Sequence, residues 1–276
     1  MSIILSVGLF TEYPWLTQLP WGVQLKLRRA EEHMRALNAA IYEFMETEPY
    51  AIGRHLELDG RDHVYTISKL ANAPDRIGIL AGDCVHCIRS SLDHLAYALA
   101  QKGVAQLCRE MTRTEFTTIS FPIYDNAGWY TSKINKPGML LIHQDFFAVV
   151  EPLQPYAYPN SMSSPLWNIS ELDNSDKHRV IATTGGTHPS VQVMDEDLPP
   201  FVPTLVPWPG EWELGTEVWR FRFEEPHPEM DMKVRPIFSV SLKDAPYPPV
   251  MAADTTLDVW LQWICEKVFQ PLLGLM

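Results

Sequence analysis

Three stretches of the chain place apolar residues at steps of three and four, the spacing of one face of an α-helix. They cover about residues 23–48, 74–103 and 255–270. Pro74 suits the first turn of the second stretch, and Gly103 suits its end. We therefore expect three long amphipathic helices that bury their apolar faces against one another.

Other stretches alternate apolar and polar residues, which is typical of half-buried strands. The run RHLELDGRDHVYTI, residues 54–67, predicts a β-hairpin that turns at Asp59 and Gly60. Strand-like runs separated by proline-rich loops dominate the chain after His178. The predicted fold class is α+β, a helical bundle packed with a mostly antiparallel β-sheet from the C-terminal half.

The domain organisation follows from length and from the absence of a clear linker. The chain has 276 residues, a size that suits one large domain. We expect a single α+β domain over residues 1–276, with about 178–250 as a candidate β-rich subdomain.

Charge and composition restrict the classes of partner. The net charge is −12 and the pI is near 5.2, which argues against broad, non-specific binding of nucleic acid or of anionic membranes. The sequence contains no apolar run of about 20 residues and no secretory signal, and its four cysteines form no evenly spaced disulfide framework. These features predict a cytoplasmic protein without a membrane partner.

The run DCVHCIRSSLDH, residues 83–94, is dense in chemically active side chains. A helical wheel at about 100° per residue puts Cys84 on the apolar side, so we expect packed free cysteines. Short polar or functional side chains form a stripe on the opposite side, with Arg89 and His94 on its two flanks. The stripe consists of Asp83, His86, Ser90, Asp93 and Tyr97.

A second dense run, LDNSDKHR, covers residues 172–179, where a helix gives way to a strand. Such junctions expose side chains and free backbone groups, so they often carry function. Lys177, His178 and Arg179 are candidate site residues here. We expect His86, Asp93 and the neighbourhood of His178 to share one cleft. Charges that complement the end of a helix are the structural alternative.

Four separated blocks occur in an order that resembles a family of bacterial proteins common in actinobacteria. The family pattern has G-D-x-x-H-N-L-R-S-A-L-D-H-L, then F-P-I, L-Q-P-Y and L-x-x-L-D-N-x-D-K-H-R. The chain matches from about 82 to 180 but has Cys87 where the pattern has Asn. This departure makes Cys87 a poor candidate for a required ligand or nucleophile. The resemblance supplies no activity.

The sequence Arg89-Ser-Ser-Leu-Asp-His94 is similar to the Arg-x4-His motif of HEPN-type proteins, helical domains that often act as metal-independent ribonucleases. This resemblance implies phosphate binding by Arg89, proton transfer by His94 or His86, and a homodimer. Asp93 would orient a histidine, and His178 would complete the catalytic set. Lys177, Arg179, Ser90 and Tyr97 would contact an RNA or nucleotide substrate, and no cofactor would be needed.

Two other functions remain open at this point. Asp83, His86, Asp93 and His178 form a candidate ligand set for a divalent metal such as Zn, Mn or Fe in a metal-dependent hydrolase. A non-enzymatic interaction module is the third hypothesis, with the polar stripe as a structural seam. The Trp- and Pro-rich segment 199–220 would then be a docking surface that includes Trp208, Trp212 and Trp219.

Overall fold

Helices and an antiparallel sheet together make up the fold, and the predicted α+β class is confirmed. In the described part of the chain, no helix is both long enough and apolar enough to cross a bilayer. The structure is a computed structural model that describes residues 7–185, 190–193, 199–205, 213–227, 234–237, 239–243 and 252–276.

The three predicted long helices are present, with shifted ends. The second continues three residues past Gly103, which was wrongly predicted to end it. Gly103 is needed there for packing, because a Cβ at this position would overlap the carbonyl of Leu141. The helices are α1 (Leu9–Glu12), α2 (Trp21–Met45), α3 (Asp75–Gln106), α4 (Arg113–Thr118), α5 (Ala127–Ile134), α6 (Gln144–Val150), α7 (Pro165–Asp176) and α8 (Ala253–Ile264).

Helices α2 and α3 pack antiparallel and form the centre of the hydrophobic core. Early residues of α2 face late residues of α3: a Cβ on Gly22 would overlap the ring of His94, whereas the Ala30 carbonyl accepts from Cys84 at 3.6 Å. Cys84 is fully buried, and burial raises the pKa of its thiol. Cys84 and Cys87 are both buried and unbridged, as the helical wheel predicted.

The main sheet has four antiparallel strands in the order β1-β2-β6-β5. The predicted hairpin is confirmed, and Gly60 supplies the left-handed turn residue with a φ of 67°. Strand β5 contains Pro203 and lies at an edge, where a residue without an N–H is tolerated. The strands are β1 (Tyr50–Leu56), β2 (Asp62–Leu70), β5 (Phe201–Leu205) and β6 (Glu217–Phe223).

One face of this sheet builds a hydrophobic cluster separate from that of the helices. Trp219 belongs to this cluster and is only 4% exposed, so it does not form part of a docking surface. Trp208 and Trp212 lie outside the described residues. The predicted β-rich segment 178–250 supplies two strands of the sheet, and the hairpin β1–β2 supplies the other two.

Two further strand pairs complete the described β-structure. Strand β3 (Thr183–Gly185) pairs with β8 (Val240–Leu242), and Val240 and Leu242 are buried in the core formed by the helices. Strand β4 (Ser190–Val193) pairs with β7 (Val234–Ile237). The β3–β8 pair therefore packs against the helical bundle.

The chain that leaves α7 passes directly over α3, at two glycines one turn apart. A Cβ on Gly78 would overlap the backbone carbonyl of Ile181, and one on Gly82 would overlap the carboxylate of Asp176. Gly82 is part of the GDxxH block and Asp176 is part of the LDNxDKHR block. The absence of two side chains on α3 thus lets these blocks meet.

We predict that Gly78→Ala lowers the free energy of unfolding by about 1–3 kcal/mol, because the backbone of Ile181 cannot move aside without a wider shift. Helix propensity alone would raise the stability by about 1 kcal/mol. Denaturant unfolding measures the change. Gly274→Ala is the control, since no heavy atom lies within 4 Å of its added Cβ. Equal stability of the two variants would contradict the close approach.

Candidate functional site

Arg89 and Asp93 hold the backbone of the FPIY segment against α3. Asp93 Oδ1 accepts from the N–H of Phe121 at 2.8 Å and from Nη1 of Arg89 at 2.8 Å. Arg89 Nη2 donates to the carbonyl of Phe121 at 3.2 Å. The side chain of Arg89 is only 16% exposed. This pair therefore satisfies both polar groups of one extended residue, which is a structural role.

Gln154 of the LQPY block also supports the backbone of the FPIY segment, at the residues that follow Phe121. Its side chain is fully buried, donates to the Pro122 carbonyl at 2.9 Å and accepts from the N–H of Tyr124 at 3.0 Å. The FPIY segment forms no strand, so its backbone groups depend on these side chains. Gln154 was not among the predicted site residues; the available signal was its place in the LQPY run.

His86 lies where α3 meets the C-terminal end of α7. Its Nδ1 is 2.9 Å from Oδ1 of Asp173, and the other oxygen of Asp173 is 2.6 Å from Nζ of Lys177. The side chain of His86 is 51% exposed, whereas that of Asp173 is 5% exposed. A buried carboxylate thus fixes an accessible imidazole. The two dense runs are therefore in contact, and the partner of His86 in the second run is Asp173.

Ser90 lies one turn along α3 from His86. Its Oγ is 3.4 Å from Nε2 of His86. An ionised carboxylate only accepts hydrogen bonds, so Asp173 favours the tautomer with the proton on Nδ1. Nε2 of the neutral ring then carries a lone pair and can accept from the Ser90 hydroxyl. Ser90, His86 and Asp173 form a hydrogen-bonded series in that order.

Sequence reasoning placed Asp173 in a dense polar run but did not assign it a role. The signal was its position on α7, where Leu166, Ile169 and Asp173 follow one another at steps of three and four. All three are buried. A charged residue on a buried face requires a partner, and here the partners are His86 and Lys177.

Negative charge is concentrated at this end of the stripe. Burial raises the pKa of Asp176, and the nearby Asp83 and Asp173 raise it further. His86 opposes this shift. Lys177 offsets one of the charges through its ion pair with Asp173. An anionic group that approached His86 would therefore meet like charge.

Among the described residues, Asp93 and His178 make no hydrogen bond or ion pair with His86. Asp93 orients neither histidine through a hydrogen bond, because its Oδ1 is used by Arg89 and Phe121. The exposed ring of His178 makes no hydrogen bond or ion pair with the described residues, and Arg179 is exposed just beyond α7. The contact predicted between Asp93 and a histidine is made instead by Asp173 with His86.

The alternative metal set is not assembled. Among the described residues, no three His, Cys, Asp or Glu side chains form a group that could hold a metal ion. Asp93 is engaged with Arg89 and with the backbone N–H of Phe121 instead. The predicted set of Asp83, His86, Asp93 and His178 is corrected accordingly.

His94 and Tyr97 line an open groove of about 560 Å³ at the other end of the stripe. The ring of Tyr97 packs edge-to-face on Phe116 at 5.8 Å, and Phe116 is 57% exposed. Burial and the neighbouring Lys26 lower the pKa of His94, so its neutral form is favoured. Asp93, Thr117 and Ile119 complete the lining.

Arg89 and His94 have different neighbours within the chain. Helix α3 is regular between them, so they point in directions about 140° apart. Arg89 faces Phe121, whereas His94 faces Gly22 on α2. A joint action of the Arg-x4-His pair on one phosphate would need a second copy of the chain.

Comparisons of the chain with protein-family models, with curated proteins and with solved structures found no match. Both resemblances noted from the sequence therefore stay predictions. The chemistry of the site follows from its own geometry.

We predict that Arg89→Ala lowers the free energy of unfolding by about 1–3 kcal/mol, because it leaves Asp93 and the Phe121 carbonyl without a charged donor. Arg29→Ala is the matched control. It breaks an ion pair with Glu32 on α2 whose partners are both 60% exposed, so no measurable change is expected. Urea unfolding of both variants checks the prediction. Wild-type stability of Arg89→Ala would show that the clamp does not support the fold.

We predict that Asp176→Asn raises the thermal midpoint at pH 7, by at most about 2 °C. Because its folded-state pKa is raised above the ordinary value of 3.8, the ionised carboxylate destabilises the fold at neutral pH. This penalty shrinks as pH falls through the raised pKa, so the gain should be absent below the ordinary value of 3.8. The exposed Asp125→Asn is the control and should show no such pH-dependent gain. A gain that is independent of pH would contradict the electrostatic cause.

Proposed function

We propose that this protein is a metal-independent hydrolase in which His86 is the general base and Asp173 orients it. The observation that carries the proposal is the contact of 2.9 Å between His86 Nδ1 and the buried Asp173, with Nε2 within 3.4 Å of the partly buried Ser90 hydroxyl. A weak nucleophile is activated when it is hydrogen-bonded to a base that a carboxylate orients in turn.

The buried carboxylate of Asp173 fixes the orientation of the His86 ring. Lys177 forms an ion pair with the second carboxylate oxygen of Asp173 at 2.6 Å and so fixes the carboxylate beside the imidazole. When His86 accepts a proton on Nε2, the imidazolium that forms stays next to this carboxylate and is stabilised by it. Proton transfer of this kind typically contributes about 10²–10⁴-fold to a rate.

The local charge favours an uncharged ester as substrate. Asp173 contacts the imidazole, and Asp83, Asp173 and His86 all affect the pKa of the nearby Asp176. A phosphodiester would carry its own negative charge into this field, whereas a carboxylic ester would not.

Phosphoester cleavage by His94 is a second candidate, and it keeps the ribonuclease hypothesis. Its support is the groove that holds His94 near Lys26, with the exposed ring of Phe116 available to stack on a base. Because Arg89 is engaged with Phe121, Lys26 would have to supply the positive charge.

The test compares the rates of purified variants on p-nitrophenyl butyrate, bis(p-nitrophenyl) phosphate and single-stranded RNA. We expect ester hydrolysis by the wild type that excess chelator leaves unchanged. His86→Ala should lower this rate by about 10²-fold or more, and Asp173→Asn should act in the same direction. His55→Ala, an exposed histidine on β1, is the control and should keep the wild-type rate.

Each other outcome has a distinct meaning. RNA cleavage that is lost in His94→Ala and kept in His86→Ala would support the second candidate. Loss of ester hydrolysis in chelator would contradict a metal-independent mechanism. If no substrate is turned over and the variants only lower the thermal midpoint, the polar stripe is a structural seam.

A further inference from the structure

We infer that Ser90 is the nucleophile of this site and forms a covalent acyl intermediate with an ester whose apolar group occupies the Tyr97 groove. The inference rests on the proposed hydrolase function and adds to it the attacking atom and the substrate class. It starts from the contact of 3.4 Å between Ser90 Oγ and Nε2 of His86. Such contacts are often long without substrate and shorten when it binds.

Ser90 is accessible, in contrast to its neighbour. Ser91 is fully buried and donates to the Ile88 carbonyl of its own helix at 2.6 Å, so its hydroxyl is already used. Ser90 is on the polar stripe and only partly buried. Its hydroxyl therefore combines two properties that a nucleophile needs, contact with a base and exposure to a substrate.

The groove lies beside Ser90 on the same face of α3. Asp93 and Tyr97 follow Ser90 at about one and two turns, which corresponds to about 5 and 11 Å along the helix. Tyr97, Phe116 and Ile119 give the groove an apolar lining. An ester carbon at Ser90 Oγ would direct one substituent into this groove, which selects for an acyl or aryl group without charge.

The reaction balances without a cofactor. Ser90 Oγ attacks the carbonyl carbon while its proton passes to Nε2 of His86, and the proton then passes to the leaving alcohol as the ester C–O bond breaks. Water then attacks the carbonyl carbon of the acyl group on Ser90 while His86 takes a proton from that water. His86 returns the proton to Oγ as the bond between Oγ and the acyl group breaks and the carboxylic acid leaves.

The position of Ser90 within α3 predicts a slow reaction. The backbone N–H groups of this turn are used in the helix, so they cannot form an oxyanion hole. Loss of one such donor typically costs about 10²–10³-fold. We therefore expect turnover of activated aryl esters only. Because p-nitrophenol leaves readily, acylation should be faster than hydrolysis of the acyl group, so one equivalent of p-nitrophenol should appear in an initial burst.

The experiment labels the full chain with an alkyl fluorophosphonate and maps the modified residue by mass spectrometry. Label on Ser90 is expected, at a rate that His86→Ala lowers by about 10²-fold or more. Ser90→Ala should lose both the label and the burst while it keeps the wild-type thermal midpoint. Ser132→Ala is the matched control, since Ser132 is an exposed serine on α5, and it should keep both. A Tyr97→Ala variant should lose its preference for butyrate over acetate esters.

The outcomes separate this inference from the proposed function. If Ser90→Ala hydrolyses the ester at the wild-type rate and carries no label, while His86→Ala is inactive, then His86 activates water and Ser90 is not the nucleophile. Label on Ser90 without turnover would support a nucleophilic Ser90 and overturn the hydrolase. Neither label nor turnover would overturn both.

Discussion

The close contact between α3 and the end of α7 is the constraint on which the candidate site depends. Gly78 and Gly82 leave one strip of α3 without side chains, and the Ile181 carbonyl and the Asp176 carboxylate occupy that space. Only at this separation can Asp173, on the buried face of α7, reach His86 on the exposed face of α3. A larger residue at either glycine would move the carboxylate away from the imidazole.

A second set of polar side chains stabilises a loop. The FPIY segment runs without strand partners, and Arg89, Asp93 and Gln154 satisfy its backbone groups. Arg89 and Asp93 belong to the same dense run as His86, yet they stabilise a loop. The four blocks are thus connected: the RSSLDH part of the first block and LQPY hold FPIY, and LDNSDK holds the histidine in the GDCVHC part of the first block.

Local pattern was sufficient to predict most of the fold. The spacing of apolar residues located the long helices, the Asp59-Gly60 turn located the hairpin, and the wheel placed Cys84 in the core. It failed at Gly103, where a contact with Leu141, far away in sequence, replaced the helix stop. It also failed to identify β5, because Pro203 is typical of a loop and is tolerated in a strand only at an edge.

The candidate site was harder to predict than the fold because each polar side chain of α3 contacts a residue on another element, and the sequence does not show which one. A wheel shows that His86, Ser90 and Asp93 share a face, but it does not show that Asp93 turns to Phe121 while His86 turns to Asp173. The charge on the buried face of α7 contained that information, since a buried carboxylate must find a cation or a donor.

Burial also explains why this one histidine of the stripe is suited to proton transfer. Asp173 loses water on folding and, among the described residues, its carboxylate is paired with His86 and Lys177, so rotating the imidazole away would leave a buried charge half satisfied. The ring is held although half of its surface is open to solvent. His94 and His178 are exposed as well, but no buried carboxylate among the described residues fixes either ring. All three histidine rings are accessible to solvent, but the ring that a buried carboxylate orients is that of His86, where α7 crosses α3.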